Sequence, residues 1–510
     1  MRREKLFGRN SVIARLRFFV PCLAMPTRRR FLCTTALSAL TPALAADARK
    51  PLIGVTVLPE FVQSEGIDGV LRNLIDRSGA NAVTTSPYVM EPADEKTGSR
   101  EPPIDAGAGS VRLLDRDLFG KRELWVRTAP SFTPNTKLYD GLRYQPPLPD
   151  DLTKREGTKV GEFVKHAKAA GLKVYLQVQA ASPPGYRVQF SGVQDEDQPR
   201  RFDGKVPARR VDKNGSLASP HILAYTAAML TDLARQYPQI DGFRIDWPEY
   251  PPYFLDALFV DYSVHAEAAA KRLGFSFEKM RDNAKSLHAR LLGGLTNRDL
   301  ERFLESGEKI PQHPLLSDAL AFRSKLVREL VSHARKALDA AGAKHMQLVP
   351  NAFPTPWNAV SGFDFSGWGG TIAGVSVKEY AMHWAMMLRF YGDEILAANA
   401  GLDEKLLVCA LVRVLGIADD DGLPHLSDYH YPEPNEPHPC GTGALARKIQ
   451  QAQKEAGDIP IFALAHGYGP PEDFRRRLSA AHQAGAHGFW VNRYGYLSDE
   501  KLSIIRDVAH

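Results

Sequence analysis

Two carboxylates, Asp246 and Glu249, stand three residues apart just after an apolar stretch of the chain. Two carboxyl groups can cleave a glycosidic bond when one, with a raised pKa, donates a proton and the other acts as nucleophile or base. We therefore predict that Asp246 is the nucleophile or stabilising carboxylate. Glu249 is the first choice of acid/base, followed by Glu379 and Glu60. The sequence does not give the distance between the carboxyl groups, so retention and inversion both stay open.

Asp246 ends a segment in which two kinds of residue alternate. The large apolar residues are Phe243, Ile245 and Trp247, and the others are Gly242, Arg244 and Asp246. Alternate residues of a barrel strand face the interior and the surrounding helices, so we predict that Arg244 and Asp246 point inward. Two charges inside a barrel are costly unless they are paired or take part in a reaction. Arg244 therefore either orients a catalytic Asp246 and keeps it ionised or forms a structural ion pair with it.

Amides, aromatic rings and a few charges collect at the ends of the other predicted strands. Planar amides and arginine can form hydrogen bonds with pairs of sugar hydroxyls, and aromatic faces stack on the C–H surfaces of sugars. On the sixth strand Lys378 and Tyr380 share the inward parity, which turns Glu379 toward the helices unless a β-bulge re-aims it. Lys378 can hold a substrate hydroxyl or lower the pKa of a neighbouring carboxylate. The candidate substrate-binding residues are Glu60, Gln179, Arg244, Tyr250, Asn351, Lys378, Tyr380, His383, His466, Trp490, Asn492 and Arg493.

Eight short apolar segments alternate with amphipathic helical segments along the chain. The predicted strands are 52–58, 80–87, 172–179, 240–247, 346–351, 373–380, 459–466 and 487–494, and the clearest helices are 160–170, 222–236, 319–341, 444–456 and 472–484. This alternation predicts parallel βαβ units, and eight of them predict an α/β fold of the (β/α)8 barrel type. An open doubly wound sheet is the alternative, but no G-x-G-x-x-G or P-loop follows a strand. The spacers 90–170, 181–220 and 248–318 follow strand ends, where barrel enzymes carry their site loops.

The signature D-G-F-D-I-D-W-E-Y-P of family-18 chitinases is similar to the segment that reads Asp241-Gly242-Phe243-Arg244-Ile245-Asp246-Trp247-Pro248-Glu249-Tyr250-Pro251. Arg244 stands where the signature has Asp, and Pro248 is inserted before the acid. Because of these departures we do not expect the N-acetyl-assisted chitinase mechanism or chitin as substrate. The fourth-strand ending D-G-x-x-x-D also resembles α-amylase-type and other retaining (β/α)8 glycosidases, in which that Asp is the nucleophile. The resemblance covers these eleven residues and the strand order, and it implies a glycoside hydrolase with a preference for retention.

A basic segment and a short apolar run lie near the start of the chain. The pattern S/T-R-R-x-F-L of twin-arginine export signals is matched by Thr27-Arg28-Arg29-Arg30-Phe31-Leu32, and the run 34–44 leads to the small-x-small site Ala43-Leu44-Ala45. The run is shorter than the roughly 20 residues of a membrane span, so no stable membrane anchor is expected. We predict that 1–45 is a signal peptide, that the twin-arginine translocase is a partner during export, and that the protein is periplasmic or secreted. Met25 offers an alternative start, which would place 1–24 upstream of the protein.

The composition is that of an ordinary globular protein, with 510 residues, 44% hydrophobic residues and a formal charge of +6. Nine basic residues and one acid lie within the predicted signal peptide, and the rest of the chain has slightly more acidic than basic residues. The basic character therefore belongs to the leader, and no nucleic-acid partner is expected. Cys409 and Cys440 are the cysteines outside the leader, and they either form a disulfide in an oxidising compartment or stay unpaired.

Several weaker patterns carry no chemistry of their own. No H-x-H ends the first strand and no H-E-x-x-H occurs, so no metal is expected. No organic cofactor is expected either, since no nucleotide-binding motif follows a strand. Asp419-Asp420-Asp421-Gly422 is similar to part of a calcium loop, but His430 stands at the twelfth position, so a polar turn is expected. The loop 429–434 either covers the site or only connects elements. Arg475-Arg476-Arg477 is expected on a solvated helix face.

These patterns together predict an exported glycoside hydrolase-like domain over 46–510, acting on an oligo- or polysaccharide. A non-catalytic glycan-binding barrel is the alternative from another class, and Arg244 in place of an acid favours it. A transglycosylase or a lyase on the same fold is a third hypothesis. The products from a defined oligosaccharide distinguish these hypotheses, because a lyase leaves an unsaturated end.

Overall fold

The computed structural model of the protein describes residues 50–103, 112–187, 192–306 and 313–510. The predicted signal peptide and its twin-arginine motif lie outside these residues. Within the described part of the chain, no helix has both the length and the apolar character that crossing a membrane requires. Cys409 and Cys440 are free thiols. Of the two alternatives that the sequence left open, a disulfide or unpaired cysteines, the structure therefore has the second.

The described residues form eleven strands. In chain order they are β1 (Leu52–Thr56), β2 (Ala82–Thr85), β3 (Tyr88–Ala93), β4 (Ser99–Glu101), β5 (Leu124–Pro130), β6 (Lys173–Gln179), β7 (Gly242–Asp246), β8 (Gln347–Ala352), β9 (Val375–Glu379), β10 (Ile461–His466) and β11 (Gly488–Asn492). Eight of them, β1, β2 and β6 to β11, pair in parallel and close into a barrel, with β11 beside β1. The predicted (β/α)8 barrel is confirmed, and the open doubly wound sheet is excluded, because every predicted strand overlaps one barrel strand.

Helices surround the barrel. They are α1 (Pro59–Glu65), α2 (Ile67–Arg72), α3 (Asp151–Glu156), α4 (Thr158–Ala169), α5 (Pro220–Gln236), α6 (Val264–Leu273), α7 (Phe277–Leu291), α8 (Asn297–Ser306), α9 (Ser317–Ala340), α10 (Trp357–Ser361), α11 (Ala381–Ala398), α12 (Glu404–Leu415), α13 (Thr442–Ala456), α14 (Pro471–Gln483) and α15 (Asp499–Ala509). Local sequence signals set several of these boundaries. The Ser219 hydroxyl caps α5, which opens with Pro220. The Asp403 carboxylate caps α12, which is followed by Gly416 in a left-handed conformation.

Side chains of alternate strand residues fill the barrel interior. A buried cluster inside it consists of Ala82, Tyr175, Val349, Leu464 and Trp490. A side chain on Gly54 would place its Cβ 2.1 Å from the Trp490 ring, so glycine at this position makes room for the indole. The barrel is therefore a packed core, and a substrate can meet the strand residues only at the ends of the barrel.

Two of the predicted spacers contain regular structure that the sequence analysis missed. An antiparallel sheet of order β3-β5-β4 follows β2, with Tyr88 paired to Pro130 at one end. The spacer 248–318 holds α6, α7 and α8. Charged residues and prolines interrupt the apolar alternation around β3, β4 and β5, whereas α6, α7 and α8 are amphipathic helices whose periodicity the sequence analysis did not recognise. The inserted sheet matters for the site because it brings Tyr88 and Glu101 to the carboxyl-terminal end of the barrel.

Candidate active site

Asp246 and Glu249 share one lysine at the carboxyl-terminal end of the barrel. Asp246 ends β7 and Lys378 lies on β9. The Nζ atom of Lys378 is 3.3 Å from Oδ1 of Asp246 and 3.3 Å from Oε1 of Glu249. The two carboxyl oxygens are therefore within about 7 Å of each other, which is comparable to the separations found in glycosidases. The side chain of Asp246 is 19% exposed, whereas those of Lys378 and Glu249 are buried.

The protein surrounds the carboxyl group of Glu249. The backbone N–H of Phe353 donates to Oε1 at 3.1 Å, and the Ser361 hydroxyl donates to Oε2 at 2.6 Å. The Asn214 amide donates to the backbone carbonyl of Glu249 at 3.0 Å and fixes the main chain. Burial raises the pKa of Glu249, and the ammonium of Lys378 offsets part of that rise. The carboxyl group of Glu249 therefore has a raised pKa, contacts Lys378 and has no exposed surface.

Arg244 lies inside the barrel and makes its hydrogen bonds away from Asp246. One guanidinium nitrogen donates to the Thr56 hydroxyl at 3.2 Å, and another donates to Oδ1 of Asn351 at 2.9 Å. The guanidinium also stacks over the Trp490 ring, 4.2 Å from its centroid. Burial lowers the pKa of Arg244 to about 10. The direct ion pair with Asp246 that the sequence suggested is not formed, because Asp246 turns to Lys378 while Thr56 and Asn351 take the guanidinium.

A second charged cluster lies above β1 and β11. The Tyr88 hydroxyl donates to Oε2 of Glu60 at 3.0 Å, and Arg187 donates to Oε1 of Glu60 at 3.3 Å. Arg187 also donates to one carboxylate oxygen of Glu101, and Arg493 donates to the other at 3.4 Å. Burial raises the pKa of Glu60, although Arg187 opposes that rise. Arg493 follows β11 and its side chain is 15% exposed, whereas both glutamates are buried.

Tyr380, His383 and His466 form an aromatic cluster at the ends of β9 and β10. The ring centroid of Tyr380 lies 5.4 Å from that of His383 and 5.2 Å from that of His466. The Asn492 amide donates to the Tyr380 hydroxyl at 2.9 Å, and the Tyr253 hydroxyl lies 3.2 Å from Nδ1 of His383. Tyr380 and Asn492 are partly exposed. Two partly exposed polar side chains therefore lie at this end of the barrel.

Three tyrosine rings surround the guanidinium of Arg112. Its central carbon lies 5.4 Å, 5.7 Å and 5.3 Å from the ring centroids of Tyr431, Tyr468 and Tyr496. Arg112 also donates to the Tyr431 hydroxyl at 2.8 Å. Tyr431 belongs to the proline-rich loop 429–434, and its ring lies 6.0 Å from that of His383. This loop therefore contacts the aromatic cluster and does more than connect two elements.

Arg477 supports the end of β10 from the helix side. It is buried, it pairs with Asp473 at 2.7 Å, and it donates to the backbone carbonyls of His466 at 3.0 Å and Tyr468 at 2.7 Å. The expectation of a solvated face is wrong for this arginine. Helix α14 turns Arg477 toward the barrel, while Arg475 stays at the surface.

Glu379 lies on the opposite face of β9 from Lys378. The pairing of β9 with β10 is regular through Val377, Lys378 and Glu379, so no bulge re-aims the side chain. Both carboxyl oxygens of Glu379 are buried without a hydrogen-bond partner among the described residues, and burial raises its pKa while nearby Lys448 opposes the rise. The structure therefore does not bring this candidate acid to Asp246.

The other predicted residues divide between the core and the mouth of the barrel. Tyr250 is buried, and its hydroxyl donates to Asp261 at 3.0 Å, so it supports a loop. Asn351 and Trp490 belong to the interior around Arg244. Gln179 pairs with Asp246 across β6 and β7, and its buried side-chain oxygen has no hydrogen-bond partner among the described residues.

Sequence reasoning missed four residues that shape the site. Tyr88 lies one position beyond the predicted second strand, but it opens β3 of the antiparallel sheet, which the sequence analysis did not predict. Arg187 and Glu101 lie in long spacers, and Ser361 ends the five-residue helix α10, where no periodic pattern exists. These three are placed by tertiary contacts and had no signal in the sequence.

The described residues include no group of three or more His, Cys, Asp or Glu side chains arranged to hold a metal ion. Asp419, from the calcium-like motif, accepts from the Gly443 backbone N–H at 2.9 Å and pairs with Arg447 at 3.1 Å. This aspartate therefore ties its turn to the start of α13.

Comparison with protein-family models and with curated protein sequences finds no match. The chain is similar in structure to the catalytic domain of β-amylase from Paenibacillus polymyxa, with 12% identity, a TM-score of 0.45, and coverage of 89% of this chain and 95% of that one. It is also similar to β-galactosidase from the psychrophilic Marinomonas ef1, with 15% identity, a TM-score of 0.43, and coverage of 87% and 54%. A class V chitinase from Pseudomonas fluorescens Pf-5 gives 9% identity, a TM-score of 0.38, and coverage of 90% and 100%. These neighbours are glycoside hydrolases, the likeness is one of fold, and the chain spans about half the length of the β-galactosidase.

Proposed function

We propose that the chain is a glycoside hydrolase in which Asp246 is the carboxylate that reacts with the sugar and Glu249 is the proton donor. The observation that carries this proposal is the shared lysine, since Lys378 holds both carboxyl groups within about 7 Å of each other. One carboxyl group is partly exposed and paired with an ammonium, while the other is buried with a raised pKa. Opposed environments of this kind give the two carboxyl groups of a glycosidase different roles.

In this mechanism Asp246 attacks the anomeric carbon while Glu249 protonates the leaving oxygen. Water then cleaves the glycosyl ester with Glu249 as base, which returns both side chains to their starting states. The upper limit on the distance between the two carboxyl oxygens includes the separation of about 5–5.5 Å found in retaining enzymes, and the resemblance of the end of β7 to retaining barrels is what favours retention. Lys378 positions Asp246, and the positive charge of Arg244 lies inside the barrel below it.

Glu249 must gain access to the substrate for this role. Besides Lys378, its carboxyl group accepts hydrogen bonds from Phe353 and Ser361, which both lie in the connection between β8 and β9. In the proposed mechanism, a movement of this connection exposes the carboxyl group of Glu249 to the leaving oxygen.

Polar groups at the mouth are suited to bind the sugar. Tyr380 and Asn492 are partly exposed polar residues, and the buried side-chain oxygen of Gln179, beside Asp246, has no hydrogen-bond partner among the described residues. We assign these three residues to substrate hydroxyls, and the substrate class is an oligo- or polysaccharide.

The test is turnover by the protein from residue 46 onward, with a panel of aryl glycosides and of bacterial and plant polysaccharides. We expect saturated reducing sugars whose anomeric configuration, followed by NMR, matches that of the substrate. Unsaturated ends would identify a lyase, and calorimetric binding without turnover would identify a glycan-binding barrel. Either result would overturn the proposal.

We also propose export through the twin-arginine route to the periplasm or beyond it. The match at Thr27-Arg28-Arg29-Arg30-Phe31-Leu32 supports this proposal. Fractionation of cells expressing the full chain and the double variant Arg28→Lys, Arg29→Lys checks it. We expect the variant to stay inside the cell as the precursor, and equal export of both proteins would contradict the proposal.

A further inference from the structure

The cluster above β1 and β11 combines arginine and glutamate side chains that the proposed mechanism does not use. Glu101 accepts from both Arg187 and Arg493, one on each carboxylate oxygen. Glu60, the other carboxyl group of the cluster, accepts from the Tyr88 hydroxyl and from Arg187. Two guanidinium groups therefore converge on one shared carboxylate.

The ion pairs of this cluster are unevenly distributed. Among the described residues, Arg187 pairs with both Glu60 and Glu101, whereas Arg493 pairs with Glu101, at 3.4 Å. Because arginine stays protonated in proteins, Arg493 is a cation held by one long contact to a carboxylate that it shares with Arg187.

Arg493 is the member of the cluster that can meet a ligand. It directly follows the last residue of β11, and its side chain is 15% exposed, whereas that of Arg187 is 6% exposed. Its hydrogen bond to Glu101, at 3.4 Å, uses one of its five N–H donors. The preceding residue, Asn492, donates to the hydroxyl of Tyr380 at the mouth. Arg493 thus presents unused donors next to groups that we assign to substrate binding.

A planar guanidinium with free N–H groups binds a carboxylate through two parallel hydrogen bonds. Neutral sugars offer only hydroxyls to such a group, whereas a uronic acid offers a carboxylate. We propose that the substrate is an acidic glycan, and that Arg493 binds the carboxylate of a uronic acid residue at the mouth of the barrel. This inference rests on the proposed glycoside hydrolase function and specifies the substrate class of the same site.

The experiment compares matched aryl uronides and aryl hexosides, which differ only in a carboxylate or a hydroxymethyl group at C6. The proteins are the wild type, Arg493→Ala, Arg493→Lys and the control Arg475→Ala, which removes an exposed arginine from α14. We expect the wild type to prefer the uronide in kcat/KM. Arg493→Ala should lose about 10- to 100-fold on the uronide and less than about 3-fold on the hexoside, because a charge-assisted bidentate contact is lost. Arg493→Lys should fall between the two, and Arg475→Ala should match the wild type.

A wild type that prefers the hexoside, or an unchanged preference in Arg493→Ala, would overturn the inference. Equal losses on both substrates, or a lowered melting temperature of Arg493→Ala that Arg493→Lys does not share, would mean that Arg493 is structural, which also overturns it. The variant Asp246→Asn separates this outcome from failure of the proposed function, since it should abolish turnover of both substrates. If no glycoside in the set is turned over, calorimetry of Asp246→Asn with a uronate oligosaccharide and with its carboxyl-reduced form decides, and equal or absent binding overturns the inference.

Discussion

Lys378 and Glu379 are neighbours in β9 and point to opposite faces of the barrel wall. On the inner face, the Lys378 ammonium lies 3.3 Å from an oxygen of Asp246 and 3.3 Å from one of Glu249. On the outer face, the carboxyl group of Glu379 lies near the buried ammonium of Lys448. On each face, a lysine ammonium therefore lies near a buried glutamate carboxyl group.

The two faces differ in access. The ammonium of Lys448 donates to the backbone carbonyls of Thr355 at 2.8 Å and Leu415 at 2.7 Å, and burial lowers its pKa to about 8. Glu379 beside it is buried, whereas the inner cluster reaches solvent through Asp246. Burial and a shifted pKa occur on both faces, so access to solvent is what separates the candidate reaction centre from the buried groups on the outer face.

The largest expected effect is that of Asp246→Asn. Losing the reacting carboxylate should lower kcat by at least about 1,000-fold, with the melting temperature little changed, because the side chain keeps its shape. Steady-state kinetics and thermal unfolding measure both. Asp241→Asn is the matched control, since Asp241 lies at the opposite end of the same strand and pairs with Lys168 at 2.8 Å. A loss in the control as large as that in Asp246→Asn would contradict the assignment.

Glu249→Gln tests proton donation directly. We expect kcat to fall by about 100-fold or more on glycosides with poor leaving groups and far less on those with strongly acidic phenols, which need no proton. The rate of a series of aryl glycosides plotted against the pKa of the phenol gives the answer. If the loss is the same for every leaving group, Glu249 only holds Lys378 in place.

Lys378→Met should lower activity by about 10- to 100-fold, because Asp246 loses the group that positions it. The ammonium of Lys378 lowers the pKa of Glu249, so its removal raises that pKa. The descending limb of the pH profile of kcat/KM, which reports loss of the donor's proton, should therefore move to higher pH. Lys168→Met, at the amino-terminal end of the barrel, is the control. A descending limb that stays in place would show that Glu249 is not the donor.

Glu379→Gln should leave kcat/KM within about 2-fold of the wild type, the smallest effect in the set, because Glu379 faces the helices. Burial raises the pKa of Glu379 in the folded state above its ordinary value of 4.5, so folding stability falls as the pH rises from that value toward the folded pKa. The variant removes this loss. Its free energy of unfolding should match that of the wild type near pH 4 and exceed it at neutral pH by an amount on the order of 1 kcal/mol, which thermal unfolding at the two pH values measures. A large loss of activity would restore Glu379 as a candidate acid.

The barrel and the direction of side chains on its strands could be predicted from the sequence. Both depend only on the alternation of apolar residues along each strand and on the order of strands and helices along the chain. Apolar alternation in Phe243, Ile245 and Trp247 places Arg244 and Asp246 on the inner face, as the structure has them. The same rule placed Glu379 outside. Local patterns therefore give the direction of a side chain on a strand wherever both faces are buried.

Contacts between distant segments could not be predicted. The exposed fraction of Glu249 depends on Phe353 and Ser361, which lie more than a hundred residues away in the sequence. Arg187 meets Glu101 only because the inserted sheet folds back to the mouth of the barrel. Such partners are set by how long loops pack, and no periodic pattern in the sequence describes that packing.

Trapping the glycosyl-enzyme tests the central claim most directly. The protein is incubated with a 2-deoxy-2-fluoro glycoside of the sugar that it turns over, digested, and analysed by mass spectrometry for the labelled peptide. A retaining reaction at Asp246 predicts one added fluoro-sugar mass, carried by Asp246. A label on any other carboxylate, or full inactivation of Asp246→Asn by the same reagent, would contradict it.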